Sequence, residues 1–235
     1  MHLDGKSSFE PAPTDPQSVM LARLHYGHHG PKEKGVILKR FLEIEFSMGK
    51  TKPPIYIIPG SLDFLMLYRK WKKYFGSRGY DVFIAPVGLE TAKIQKSAER
   101  VRKDIIKKNL KGVVIVSASL GSVIAKYCLN KYPEINKRVG QIVAVCAPFK
   151  GTYLAWLTRF LPSYRQILPN SEFIKKLGKG SNKKIVSIRP FCDTEVIPLN
   201  SEIVKGGKNI QAKVTGHIFA PYTSEIMRLI LREIR

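Results

Sequence analysis

The sequence predicts an α/β protein: a mainly parallel central sheet with helices on both faces. Three observations lead there. Short runs of β-branched and apolar residues alternate with longer segments of helical character along most of the chain. Runs such as Ile55-Tyr56-Ile57-Ile58 are apolar at every position, as strands covered on both faces are. The joints between these segments are short, and several contain glycine or proline, as strand–helix alternation in one sheet requires. A chain of 235 residues suits one such domain.

Residues 1–35 are rich in Pro, Gly, Ser and His and read as an N-terminal arm, leaving 36–235 as the domain. His25, His28 and His29 lie in that arm, but Gly27 and Gly30 break any helix that would align them. No cysteine or carboxylate joins the cluster, so no metal site is expected there. Leu42-Glu43-Ile44-Glu45-Phe46 alternates as a strand does, and Met48-Gly49-Lys50 turns it. The run at 55–58 ends in Pro59-Gly60-Ser61, and a helix is expected from about 64 to 77. A strand over 81–85 and a basic helix over 92–109 come next, before the strand Val113-Val114-Ile115-Val116.

That strand runs into Ser117-Ala118-Ser119-Leu120-Gly121, and a helix follows from Ser122. Residues 141–145 form another strand, ended by Ala147-Pro148. Residues 152–178 read as an irregular helical insert. Its Leu154, Trp156, Leu157, Phe160 and Leu161, interrupted by Arg159, Pro162, Arg165 and Pro169, are too many apolar residues for a plain loop. The insert is therefore expected to be a cap or lid, with an ordinary surface helix pair packed on the sheet as the alternative. Strands over 185–188 and 211–214 and an amphipathic helix over 222–234 complete the chain. Ligands of such sheets bind at the carboxyl ends of the strands, where these joints lie.

The charge is far from balanced: 40 Lys and Arg face 18 Asp and Glu, for a net +22. The first thirty residues hold two basic and three acidic side chains, so the excess lies in the body. Such a field favours anionic partners. The basic residues are scattered between apolar segments, with no nucleic-acid-binding signature, so no specific nucleic acid is expected. Basic clusters stand beside apolar ones in Leu65-Met66-Leu67-Tyr68-Arg69-Lys70-Trp71-Lys72-Lys73 and Phe173-Ile174-Lys175-Lys176-Leu177, and peripheral contact with an anionic membrane is the expectation. Cys128, Cys146 and Cys192 fall in apolar stretches without CxxC spacing and read as buried thiols, not a disulfide framework. With neither a signal-peptide pattern nor an apolar stretch of spanning length, a cytoplasmic location is expected.

A serine in a sharp turn between a buried strand and a helix is pushed outward by the strained backbone. Its neighbours must be small, and the next N–H points at a developing oxyanion. Ser117-Ala118-Ser119-Leu120-Gly121 follows the Gly-x-Ser-x-Gly pattern with serine for the first glycine, which makes Ser119 the candidate nucleophile. Serine needs a histidine base, itself oriented by a carboxylate. Of five histidines, His2, His25, His28 and His29 lie in the arm, and His217 alone lies in the body, after the last strand. Between Ser119 and His217 the carboxylates are Glu134, Glu172, Asp193, Glu195 and Glu202. Glu134 and Glu172 read as surface residues. Asp193 is preferred over Glu195 because it directly follows a strand and keeps the order Ser, Asp, His. An oxyanion is expected to be received by the N–H of Leu120 together with that of Ser61 or Leu62, where Gly60 leaves room. No metal or organic cofactor is called for.

With these residues in place the chain resembles an α/β-hydrolase, and more narrowly the bacterial triacylglycerol lipases and esterases. The resemblance runs from about Ile55 to the C-terminus, through IIPGSLDF, VIVSASLGSVIAKYCLNKYPE, VAVCAPFKGTYLA, LPNSEFIKKL, DTEVIP and TGHIF. It implies the catalytic roles for Ser119, Asp193 and His217 and the oxyanion role for Ser61 and Leu120. It also implies hydrolysis of lipid-like carboxylic esters. A thioesterase or acyltransferase would use the same triad. The chain departs from the family where Ser117-Ala118 replaces Gly-His before the nucleophile and Pro59 replaces a strand-end histidine. Those departures leave a non-catalytic binding protein on the same scaffold as the alternative.

Overall fold

The computed structural model describes residues 52–61, 65–89 and 91–234. The arm over 1–35, with its histidines, and the strand expected at 42–46 lie outside the described residues, as does Leu62. Six strands form one sheet: β1 (Ile55–Ile58), β2 (Val82–Ile84), β3 (Val113–Ala118), β4 (Val139–Val145), β5 (Ile185–Arg189) and β6 (Lys208–Gln211). They pair in the order β2-β1-β3-β4-β5-β6, and every pairing is parallel.

Helices α1 (Leu65–Gly76), α2 (Ile94–Lys107), α3 (Leu120–Lys131), α4 (Pro133–Arg138), α5 (Pro162–Gln166) and α6 (Glu172–Gly178) lie in the crossovers, and α7 (Ser224–Glu233) follows the last strand. Alternate strand residues sort into two cores. Tyr56, Ile58, Val113, Ile115, Ile142 and Ile185 pack with α2, α3, α4 and α6. Ile55, Ile57, Val114, Val116, Val143 and Val186 pack with α1 and α7 on the other face. This two-sided burial explains why the strands are apolar at consecutive positions. Each fully buried Ile or Val contributes about 1.5–3 kcal/mol, and the central strands β1 and β3 are buried at every residue.

Two expectations are corrected. The last strand, expected at 211–214, runs Lys208–Gln211. An edge strand needs no apolar alternation, and three of its four residues are exposed, which hid it. The apolar residues beyond it continue the pairing irregularly, with Phe191 N donating to Val214 O (2.7 Å) and Cys192 bridging Thr215. Cys192 is exposed, not buried, because it lies in the loop beyond β5; Cys128 and Cys146 are buried. Among the described residues no helix is long and apolar enough to cross a membrane.

Candidate active site

Strand β3 ends at Ala118 and α3 begins at Leu120, so the whole turn falls on Ser119. Its backbone takes φ 47°, ψ −125°, a strained conformation for a residue with a side chain. Three contacts hold it there. Ser119 N donates to Val145 O on the neighbouring strand (2.9 Å). Gly121 lets α3 start against the end of β1, since a Cβ there would lie 2.1 Å from Pro59 O. Ser117, in place of the usual glycine, is fully buried, and its hydroxyl donates to Ser122 Oγ (3.0 Å). The serine is thus accommodated by a partner in the first turn of α3.

His217 follows Gly216, whose φ of 90° and N–H to Cys192 O (2.8 Å) turn the chain back toward the sheet. Its Nδ1 lies 2.9 Å from each Asp193 oxygen, and its Nε2 lies 2.9 Å from Ser119 Oγ. A carboxylate only accepts, so Nδ1 carries the proton and Nε2 accepts from the serine hydroxyl. Asp193 Oδ1 also accepts from the backbone N–H groups of Glu195 and Val196, both at 2.8 Å. Burial pushes the Asp193 carboxyl up, but His217 and these two N–H groups together hold it below its ordinary value. Asp193 is therefore an anion at neutral pH, with its charge aimed at the ring.

The other carboxylates take different places. Glu134 pairs with Arg102 (2.5 Å) and Glu172 with Lys175 (2.9 Å), at the surface as expected. Glu195 lies on the opposite side of the imidazole from Asp193, with Oε2 3.8 Å from Nε2. Glu202 is wholly buried, and neither carboxyl oxygen has a hydrogen-bond partner. Burial first, then the nearby Asp193 charge, push it up to about 9 against the pull of Arg189, so it is neutral at pH 7. Sequence reasoning gave Glu202 no role, and its polar setting in Leu199-Asn200-Ser201-Glu202 carries no signal of burial.

A cavity of about 370 Å³ opens over Ser119 and His217. Ser61 and Leu120 line it, as do Leu154, Ala155, Leu157, Tyr164 and Ile167 of the insert. Ser61 Oγ donates to Leu89 O (3.2 Å), and the preceding N–H of Gly60 donates to Tyr68 Oη (2.7 Å). Leu120 opens α3, where a backbone N–H has no partner within the helix. The insert is fastened by Thr152, a residue that sequence reasoning missed. Thr152 Oγ1 donates to Glu195 O (2.6 Å) and accepts from Ile197 N (3.1 Å) and Leu154 N (3.3 Å). Cys146, Asp193 and His217 bring three metal-capable atoms within 4.8 Å of one another. Two of those side chains are already engaged with each other and with Ser119, which does not fit a resident metal.

No protein-family model matches the chain, and no curated protein matches it by sequence. Solved structures do match. An α/β-hydrolase enzyme from the sediment metagenome of the Mar Chica lagoon, Morocco, superposes with a TM-score of 0.59 at 18% identity, over 78% of this chain and 90% of its own. The chain has the α/β-hydrolase fold. Lipase B of Aspergillus fumigatus has a TM-score of 0.58 at 23% identity over 68% of this chain, which spans 44% of that lipase's length. The monoacylglycerol lipase of Paleococcus ferrophilus has a TM-score of 0.57 at 13% identity, over 78% of this chain and 96% of its own. In an α/β-hydrolase fold the carboxyl ends of the strands form the ligand side. Ser119, Asp193 and His217 all follow such ends.

Proposed function

We propose that the protein is a serine hydrolase that cleaves lipid-like carboxylic esters through an acyl-enzyme on Ser119. The observation that carries this reading is the unbroken relay Asp193–His217–Ser119, with 2.9 Å at each step. His217 Nε2 takes the Ser119 proton as Oγ attacks the ester carbonyl, and Asp193 stabilises the imidazolium that forms. The N–H groups of Leu120 and Ser61 receive the tetrahedral oxyanion. His217 then protonates the departing alcohol. A water, deprotonated by the same nitrogen, releases the acyl group and restores Ser119. No step uses a metal or cofactor.

The apolar insert residues in the cavity wall support an acyl-chain pocket and a cap role for 152–178. The proposal includes peripheral contact with anionic lipid. Trp156, Leu157 and Phe160 are exposed on the insert, and Arg159 and Arg165 line the same surface hollow. Each Lys or Arg near an anionic bilayer contributes about 1 kcal/mol.

Fluorophosphonate labelling tests the chemistry. Label is expected on the wild-type protein, absent from Ser119→Ala and retained by Ser117→Ala and Ser122→Ala. An unlabelled wild type would refute the reading in favour of a binding protein on this scaffold. A panel of p-nitrophenyl esters, phospholipids and acyl thioesters then separates esterase from thioesterase, and added alcohol acceptors reveal acyl transfer.

A further inference from the structure

Glu195 stands outside the relay but inside the cavity. Its Oε2 lies 3.8 Å from His217 Nε2, the nitrogen that faces Ser119 Oγ. Among the described residues lining the cavity it carries the one carboxylate; the rest of the wall is apolar or hydroxyl-bearing apart from His217. Its backbone is fixed at both ends, with N–H on Asp193 Oδ1 (2.8 Å) and C=O on Thr152 Oγ1 (2.6 Å). Its side chain is partly exposed and lines the cavity. The turn that presents Asp193 to Nδ1 therefore presents a second carboxylate to the substrate side of the same ring.

When the acyl-enzyme forms, Nε2–H gives its proton to the departing alcohol oxygen, so the alcohol part of the ester occupies the space beside Nε2. A carboxylate there accepts a charge-assisted hydrogen bond from a neighbouring hydroxyl and repels a neighbouring anion. We infer that Glu195 is a specificity-determining residue for the alcohol part of the substrate. It favours esters whose alcohol carries a free hydroxyl beside the ester, as partial glycerides do, and disfavours esters whose alcohol carries a carboxylate or phosphate there. The inference rests on the serine-hydrolase reading and goes beyond it by naming the alcohol class.

The test compares wild type with Glu195→Gln on glyceryl monobutyrate and on the butyryl ester of glycolate, which share one acyl group. Each kcat/KM is divided by that of the same enzyme on p-nitrophenyl butyrate. Wild type is expected to prefer the glyceride, and Glu195→Gln to lower that preference at least tenfold, mainly by admitting the glycolate ester. An unchanged preference would overturn the inference while leaving the hydrolase standing. So would an equal fall on all three esters, since that places Glu195 on the imidazole instead of the substrate. Wild type that turns over no ester and takes no fluorophosphonate overturns both.

Discussion

Gly121 is the residue on which the turn at Ser119 depends. Its missing side chain leaves the space into which Pro59 O projects, and a Cβ at 2.1 Å from that oxygen has nowhere to go. Gly121→Ala is expected to destabilise the protein by about 3 kcal/mol or more, measured by urea denaturation. Ser117→Gly, by contrast, restores the common pattern and removes only the hydrogen bond to Ser122, at about 1 kcal/mol, with ester turnover retained. Glu202 supplies a pH-dependent prediction. Its folded-state value of about 9 lies above the ordinary 4.5, so the folded state holds a proton that the unfolded state has released between those values. Stability from this group therefore falls as pH rises from about 4.5 toward 9. Glu202→Gln is expected to match wild type in Tm near pH 4.5 and to exceed it at pH 8, by calorimetry. At this scale much of the candidate site was legible. Ser119 follows from its setting between an apolar run and a helix, and His217 from elimination. Asp193 and Glu195 are two residues apart, and composition cannot say which ring nitrogen each faces. The turn closed by two N–H groups on Asp193 Oδ1 decides that, and such a turn leaves only a faint mark in sequence.

Among the elements, the buried strands were the easiest to read and the edge and insert the hardest. β1 was placed without error, because two-sided burial writes itself as an unbroken apolar run. β6 was displaced by three residues because one neighbour and one exposed side demand little of its side chains. The insert resolves into a 3-10 turn over Tyr153–Trp156 and the short helices α5 and α6, each too brief for periodicity to declare. Its apolar residues were legible; their presence in the cavity wall was not. Leu154 lines the cavity and is partly exposed, so a larger side chain there can be tolerated by the fold. Leu154→Trp is expected to lower kcat/KM for p-nitrophenyl octanoate relative to butyrate about tenfold. An unchanged ratio would mean that the insert packs without shaping the acyl pocket.

For the whole molecule, the proposed membrane contact combines net charge with exposed apolar surface. Under that proposal the excess of +22 draws the protein to anionic surfaces, and Trp156, Leu157 and Phe160, exposed on the insert, enter the interface once contact is made. Co-sedimentation with anionic vesicles is expected at low salt and to weaken at moderate salt, with little recovery on neutral vesicles. Arg159→Glu with Arg165→Glu is expected to weaken binding to anionic vesicles at least tenfold. Equal recovery of wild type on neutral and anionic vesicles would refute the electrostatic part. Fold class could be read at this scale because strands alternating with helices across short joints imply a parallel sheet. Substrate could not, because it depends on which loops meet above the sheet.

Thr152 joins two of those loops with one oxygen. Its hydroxyl holds the carbonyl of Glu195 and the N–H of Ile197, while its own chain leads directly into the insert. On the proposed cap role, an outward swing of the insert would pull on the turn that keeps Asp193 aimed at His217. Opening to admit a substrate and readiness to cleave it would then be opposed, with the relay fully braced only while the insert is seated. An empty, open protein would be chemically quiet, and a filled, closed one armed, with no separate signal needed to tell the two apart.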